Sequence, residues 1–477
     1  MNDNPTAEVT ASRLPAQRID KNGRAHVDQR AVLALALPLM ANSAVQLVLS
    51  LTDLWFVGRI STSAVAAVGA VHWLVIAVIM VLGGVGLAVQ TVVAQSFGGR
   101  RYYRASQAVW TAMWGEICVV PLFILVGVSG TFWLTPFGFA PDVKELASEF
   151  WLPRVAGASF GGALWAMLGF FNGIGRPRVT AMVMIVVAMT NVVLNQLFIF
   201  EFDWGIAGSG WATTCAQAVG FALAVFLFTR QQYRRQFRSH LTWRPHLGRL
   251  LRQWRLGLPM GLLYAADLMG FAMFQMMQVR LGTVDGAATQ IVIMLTSLAY
   301  MPGFGIAQAG TTLVGQSIGA GDRKWAMRVG TRVIALAACY MGGIGVLVAL
   351  TGQWLLPIFT GSHDVEAAQA VALGTKLLWL AAAYQFFDGL NLGSGMCLRG
   401  AGDAAVPAAL VLALSWLVFV PLAHMFTFEA GQGWFSFLPQ FGWGAFGGWA
   451  AVDIYIMLLG LMLLVRWRSG AWQKIRI

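Results

Sequence analysis

The chain repeats itself. Leu37-Pro38 returns as Leu258-Pro259, 221 residues later, and VAQSFGG (93–99) returns as VGQSIGA (314–320) at the same offset. Each proline therefore precedes its glutamine by 57 residues. Further on, Gly173-Ile174-Gly175 echoes as Gly400-Ala401-Gly402, and Trp211-Ala212 as Trp449-Ala450, the offset drifting as loops lengthen. A duplicated chain must build two similar halves that meet each other.

The solvent of those halves follows from composition. Hydrophobic residues make up 58% of 477 positions and charged residues only 11%, where a soluble protein carries about 25% charged residues. Windows such as 64–94, 178–200, 255–279 and 443–465 are apolar over lengths that cross a bilayer as helices. Strand-period alternation is absent, which argues against a β-barrel. The expected fold is an all-α polytopic membrane protein with twelve spans. They lie near 31–57, 64–94, 105–130, 150–172, 178–200, 206–229, 255–279, 286–316, 326–350, 366–398, 404–426 and 443–466. The implied organisation is a disordered tail (1–30), a first lobe (31–229), a basic linker (230–254), a second lobe (255–466) and a tail (467–477).

The net charge of +12 invites a nucleic-acid reading, but its placement removes that reading. With both termini in the cytoplasm, 27 of the 32 Lys and Arg residues fall on the inner side. Only Arg59, Lys144, Arg154, Arg280 and Lys376 fall outside. This is the positive-inside bias, so the basicity reports topology in a plasma membrane and no nucleic-acid partner is expected. The linker arginines Arg234, Arg235 and Arg238 are also placed to touch anionic headgroups. Residues 1–30 lack an apolar core and do not read as a signal peptide. The four cysteines (Cys118, Cys215, Cys339, Cys397) have neither metal-ligand nor redox spacing and read as buried small hydrophobes. No nucleotide-binding G-x-x-x-x-G-K-[ST] loop, H-E-x-x-H motif or nucleophile-base arrangement is present, so the expectation is no enzyme and no cofactor. Uphill movement would then draw on an ion gradient.

Five acids remain inside the spans: Asp53, Glu116, Asp267, Asp388 and Asp453. At 1.5 Å per residue, Asp267 lies about 18 Å along its helix from Arg255, and Asp388 about 18 Å from Lys376, near mid-depth for both. Asp53 is about 9 Å from Arg59 and nearer the outer face. A carboxylate at a helix centre costs roughly 2.5–3.5 kcal/mol on insertion scales, which warrants a functional reading. Burial penalises the charged form, so such a group takes up a proton, holds an alkali cation such as Na+, or attracts a lipophilic organic cation. When ion and substrate share one carboxylate, their binding is mutually exclusive, the simplest basis for exchange. Asp267 and Asp388 are the leading candidates, including as Na+ ligands, followed by Asp53. Asn191 and Asn195 share one helix face, and with Tyr384, Gln385 and Gln278 they read as site polar groups or as helix-helix glue. Pro38 and Pro259 are expected to open or kink the first helix of each half, and Pro302 to weaken the eighth span.

Several segments carry a more specific signal: LTDLWFVGR (51–59), the AQSFGG/GQSIGA pair, NGIGRPR (172–178), WGIAGSGWAT (204–213) and YQFFDGLNLGSGMCLRGAGD (384–403). Through these the chain resembles the multidrug and toxic compound extrusion (MATE) family, in its NorM-like bacterial branch, over roughly residues 31–466. The resemblance implies two six-helix lobes related by a pseudo-two-fold axis along the membrane normal, and antiport of cationic drugs against Na+ or H+. It implies that Asp53 is the family's first-helix acid and Asp388 its span-ten acid, with Tyr384 one turn away. Asp267 stands eight residues after Pro259, where the NorM-like pattern has Glu. That departure keeps the charge and shortens the reach by one methylene.

The reading is a secondary exporter of lipophilic, cationic small molecules in a bacterial inner membrane, working as a monomer, with both termini cytoplasmic. A flippase for a lipid-linked substrate is the alternative. It would call for a cationic cavity, whereas the mid-depth charges read from the sequence are all acidic.

Overall fold

A hairpin, not a disordered segment, precedes the first membrane helix. β1 (Gln17–Ile19) pairs antiparallel with β2 (Ala25–Val27), Arg18 facing His26. Asp20 closes the turn by accepting from the Asn22 and Arg24 amides at 2.9 Å each. The Arg24 amide in particular holds the Asp20 carboxyl below its usual range. The computed structural model describes residues 14–135, 141–360, 365–435 and 437–475. Of the expected tail, then, residues 14–28 have a defined structure; residues 1–13 lie outside those described.

The first half of the chain comprises α1 (Gln29–Gly58), α2 (Thr62–Leu82), α3 (Gly84–Gly98), α4 (Tyr102–Val128), α5 (Gly130–Leu134), α6 (Pro141–Ala156), α7 (Ala158–Gly173), α8 (Pro177–Asn195) and α9 (Gly205–Thr229). The short α10 (Gln231–Phe237) leads into the second half. That half comprises α11 (Leu247–Leu281), α12 (Thr283–Gly319), α13 (Arg323–Thr360), α14 (Val365–Ala401), α15 (Ala405–Leu414), α16 (Val420–Thr427) and α17 (Gly444–Arg468). Among the described residues, eleven stretches are long and apolar enough to cross a membrane. The pair α6–α7, bent by 43°, makes a twelfth. The molecule is an all-α polytopic membrane protein.

Local chemistry explains the boundaries. Asp28 caps α1 by accepting from the Arg30 amide at 2.9 Å. Pro177 starts α8, where its missing N–H is not needed. The bend between α6 and α7 falls at Gly157, where a side chain would collide with Thr214, itself hydrogen-bonded to Pro153 O at 2.8 Å. Pro38, Pro259 and Pro302 sit inside α1, α11 and α12 without interrupting them. The expected opening of the first helices is therefore absent. Instead the second span breaks at Gly83, between α2 and α3. The linker expected at 230–254 is largely helical, in α10 and the first turns of α11.

Two buried apolar clusters are built from first-half residues, one around Phe170, Phe171 and Phe228 and one around Phe123, Phe150 and Trp151. A third is built mainly from the second half, around Phe274, Phe419 and Trp449, and takes in Val32, Ala36 and Leu39 from α1. The halves touch through small residues. A methyl on Gly305 would lie 2.5 Å from the Met40 nitrogen, and one on its repeat counterpart Gly84 would lie 2.5 Å from Gly257 O. Backbone-to-backbone approach of this kind is how membrane helices gain contact without a solvent-driven hydrophobic effect. Cys118 and Cys339, themselves repeat-related, lie exposed on the outer faces of α4 and α13, whereas Cys397 is buried. The expectation of buried cysteines fails for the first two because those faces point away from the bundle.

Candidate functional site

A cavity of about 330 Å³ opens within the second half. α11 supplies Tyr264, Asp267 and Phe271 to it, and α14 supplies Tyr384, Asp388, Asn391 and Arg399. Steps of three and four residues put each set on one helix face. Tyr300 comes from α12, Tyr455 from α17 and Trp73 from α2 in the first half. Thr296, Ser297 and Asp403 also reach the wall, and the rest of it is mainly apolar, with Met260, Met301 and Met396 among its residues. Asp267 and Asp388, 121 positions apart in the chain, thus face one space.

Among the described residues each acid has a single neutral hydrogen-bond partner. Tyr455 donates to Asp267 Oδ1 at 2.6 Å, and Asn391 donates to Asp388 Oδ1 at 3.1 Å. The remaining carboxylate oxygens are left to whatever enters the cavity. Among the described residues no three His, Cys, Asp or Glu side chains converge as a metal site. A monovalent cation between Asp267 and Asp388 would complete its shell with hydroxyl and amide oxygens, and Asn391 and the tyrosines supply those.

Asp53 belongs to a second constellation, in the first half. Asn195 donates to its Oδ1 at 2.8 Å and Thr213 to its Oδ2 at 3.3 Å. Asn191 donates to Thr213 Oγ1 at 3.3 Å, while its own oxygen accepts from Asn195 at 3.0 Å. Both asparagines are fully buried. Arg154, expected on the outer side at the start of the span 150–172, sits in α6 within electrostatic range of Asp53 and His72. Its Nη1 is buried without a partner.

Other expected residues stand apart. Gln278 is on α11 but about 16 Å along the axis from Asp267. It donates to Thr427 Oγ1 at 3.4 Å and does not line the cavity. Glu116 is 2% exposed, and neither of its carboxylate oxygens has a hydrogen-bond partner. A side chain on Gly162 would collide with it. Asp453 is buried behind Tyr384, one oxygen unpartnered.

The sequence reading missed Tyr264, Tyr300, Asn391, Arg399 and Tyr455. Helical spacing from the acids would have found Tyr264 and Asn391, three residues away on the same face. Tyr300, Tyr455 and Arg399 enter only through packing. Arg399, expected at the inner end of its span, adds a buried cation to the wall of the same cavity. Its guanidinium donates to Tyr264 OH at 3.4 Å and to the Leu87 carbonyl of the first half.

Both constellations adjoin a widened, π-helical turn: Gln196–Glu201 directly follows Asn195, and Ser415–Phe419 ends at Phe419. That ring stacks on Tyr455 at 4.9 Å. Such turns recur beside functional groups because they re-aim side chains out of the helical register.

The MatE family model matches residues 38–197 and 259–425. The "Probable multidrug resistance protein NorM" of Brucella suis biovar 1 is 28% identical over 466 residues, covering 94% of this chain and 95% of the relative. The protein of that name from Pseudomonas putida is 30% identical over 418 residues, covering 85% and 88%. Among solved structures, one described as a crystal structure of MATE in complex with MaL6 superposes with a TM-score of 0.81 at 19% identity, covering 94% of this chain and 97% of that one. A MOP superfamily transporter from Pyrococcus furiosus, described as having a binding pocket of reverse polarity, gives a TM-score of 0.79 at 19% identity over the same shares.

Proposed function

The chain belongs to the MATE family, in its NorM-like branch, and from that premise we propose that it exports lipophilic cations by exchanging them for Na+ or H+. Members of the family are multi-pass membrane transporters and not enzymes, and the coarse function is multidrug efflux. The exchange mechanism is our reading, and one observation carries it. Asp267 and Asp388 face a single largely apolar, tyrosine-lined cavity, each with one carboxylate oxygen uncommitted. An organic cation and an inorganic one cannot both neutralise the same pair, so binding one displaces the other. Aromatic faces favour a cation beside the carboxylates, and flexible methionines favour breadth of substrate.

In this reading Asp267 and Asp388 couple ion to substrate, Tyr384 shapes the cavity wall, and Asp53 with Asn191 links the first half to the cycle. Gln278 serves packing between α11 and α16. The basic ends of the helices lie in the cytoplasm with both termini, and no cofactor or second subunit is required because one chain supplies both halves. Among the hydrogen bonds that join the two halves, those of Leu87, Gln90, Thr91, Gln95, Thr312, Gln316 and Arg399 lie in the half of the molecule toward that basic end. In this reading those bonds hold the halves together at the cytoplasmic side.

Arg399 is the one feature that favours a lipid-linked, anionic substrate instead, but its guanidinium is already engaged by Leu87 O and Tyr264 OH. The deciding experiment is efflux of a fluorescent lipophilic cation from proteoliposomes under separate Na+ and H+ gradients. Movement driven by one gradient and lost in Asp388→Asn is expected. No movement under either gradient, with folded protein, would turn the reading to the lipid-linked class.

A further inference from the structure

The repeated VAQSFGG and VGQSIGA segments take no part in the chemistry above, yet they meet across the interface in a reciprocal pattern. Thr91 donates to Arg399 O and Gln95 to Gly400 O, each at 3.0 Å. Thr312, the repeat counterpart of Thr91 at the same 221-residue offset, donates to Asn172 O at 3.0 Å, and Gln316 to Gly173 O at 2.8 Å. Each half thus offers one threonine and one glutamine to two consecutive carbonyls of the other.

The acceptors are helix C-terminal carbonyls, which lack intrahelical donors. α7 and α14 both turn away through a glycine in the left-handed region, Gly175 at φ 77° and Gly402 at φ 90°. The amides of those glycines reach Asn172 O and Arg399 O. Gly173 O has no helical successor to serve it, since the residue four positions on is Pro177, without an N–H. The glutamine of the opposite half fills that vacancy. The helices that carry the donors touch backbone to backbone: a methyl on Gly98 would run into Gln316 O, and one on Gly319 into Gln95 O.

Burial grades the contact. Thr91 and Thr312 are sealed, at 0% and 1% exposure, whereas Gln95 and Gln316 are half-buried at the rim of the basic end. When the halves part there, water can reach the amides and the carbonyls together, so the exchange is reversible.

We propose that Gln95 and Gln316, with Thr91 and Thr312, are positioning residues that form a two-fold latch closing the basic end between turnovers. The latch rests on the exchange reading above, taken to proceed by alternating access, in which the basic end opens and closes in each cycle. It differs from permanent helix glue because its four bonds must break for that end to open.

The test uses spin labels at two exposed positions, Arg101→Cys in the loop after α3 and Arg323→Cys at the start of α13, with Cys118, Cys215, Cys339 and Cys397 replaced. Distances are measured in lipid nanodiscs without substrate. Gln95→Ala/Gln316→Ala should raise the population of long distances at least tenfold. Thr91→Val/Thr312→Val, which keeps side-chain volume but loses both donors, should do the same, and Thr91→Ser/Thr312→Ser should retain the short distance. Unchanged distances in the Ala and Val pairs of monodisperse protein would overturn the latch, as would equal opening in the Ser pair. Because no substrate is present, a latch that behaves as stated while efflux fails under both gradients would leave the latch standing and remove only the antiport reading.

Discussion

Tyr455 on α17 donates its hydroxyl to Asp267 on α11 at 2.6 Å, joining side chains 188 positions apart. That is the short range characteristic of an O–H donor on a carboxylate. The bond aims Asp267 into the cavity, and Phe419 stacked on the tyrosine ring holds the donor in place.

Removing that hydroxyl should change ion coupling more than folding. In Tyr455→Phe the carboxylate loses its one hydrogen-bond partner among the described residues, a change worth about 1–3 kcal/mol for a buried group. The half-saturating concentration of the coupling ion should move by roughly tenfold or more. Measured ion dependence equal to the unmodified protein's would contradict a coupling role for Asp267.

Asp388→Asn keeps the volume and the link to Asn391 but abolishes the charge. Gradient-driven efflux of a lipophilic cation should fall at least tenfold, a barrier change of about 1.4 kcal/mol. Asp267→Glu restores the longer acid of the NorM-like pattern and should retain efflux while altering ion preference. Competition between Na+ and a labelled cation at equilibrium checks both.

In the first half, Asn195 and Asp53 form a direct pair at 2.8 Å. Asn195→Ala and Asp53→Asn should therefore be non-additive, with a coupling energy of about 0.5–3 kcal/mol in transport rate. Additive losses would mean that the asparagine serves packing alone.

Stability should respond to Asp403, whose carboxylate is 2% exposed and pairs with Arg466 at 2.8 Å. Arg466→Leu strands a buried charge and should cost about 3–5 kcal/mol. The double variant Asp403→Asn/Arg466→Leu should recover much of it. Thermal unfolding in detergent, followed by size-exclusion fluorescence, reads the difference.

Much of this molecule was legible before any coordinates. Long apolar windows have one solution in a bilayer, because every backbone donor must be satisfied within its own segment. The twelve spans, the duplication and the family followed from that constraint and from motifs. The mid-depth acids were legible too, since a carboxylate stands out in a hydrocarbon window. The approach of Arg154 to Asp53 was not legible because it depends on how α6 packs, and residues 14–28 were misread because three-residue strands carry almost no signal.

The sequence by itself determined which residues are in the membrane and which of them are charged, because transfer free energy depends on residue type and run length. Only the tertiary structure decided which charges share a space. Asp267 with Asp388 and Tyr455, Asp53 with Asn195 and Arg154, and the exchange of Gln95 and Gln316 across the halves depend on helix rotation and crossing. Those are set by side-chain packing between segments hundreds of positions apart, which no local pattern encodes.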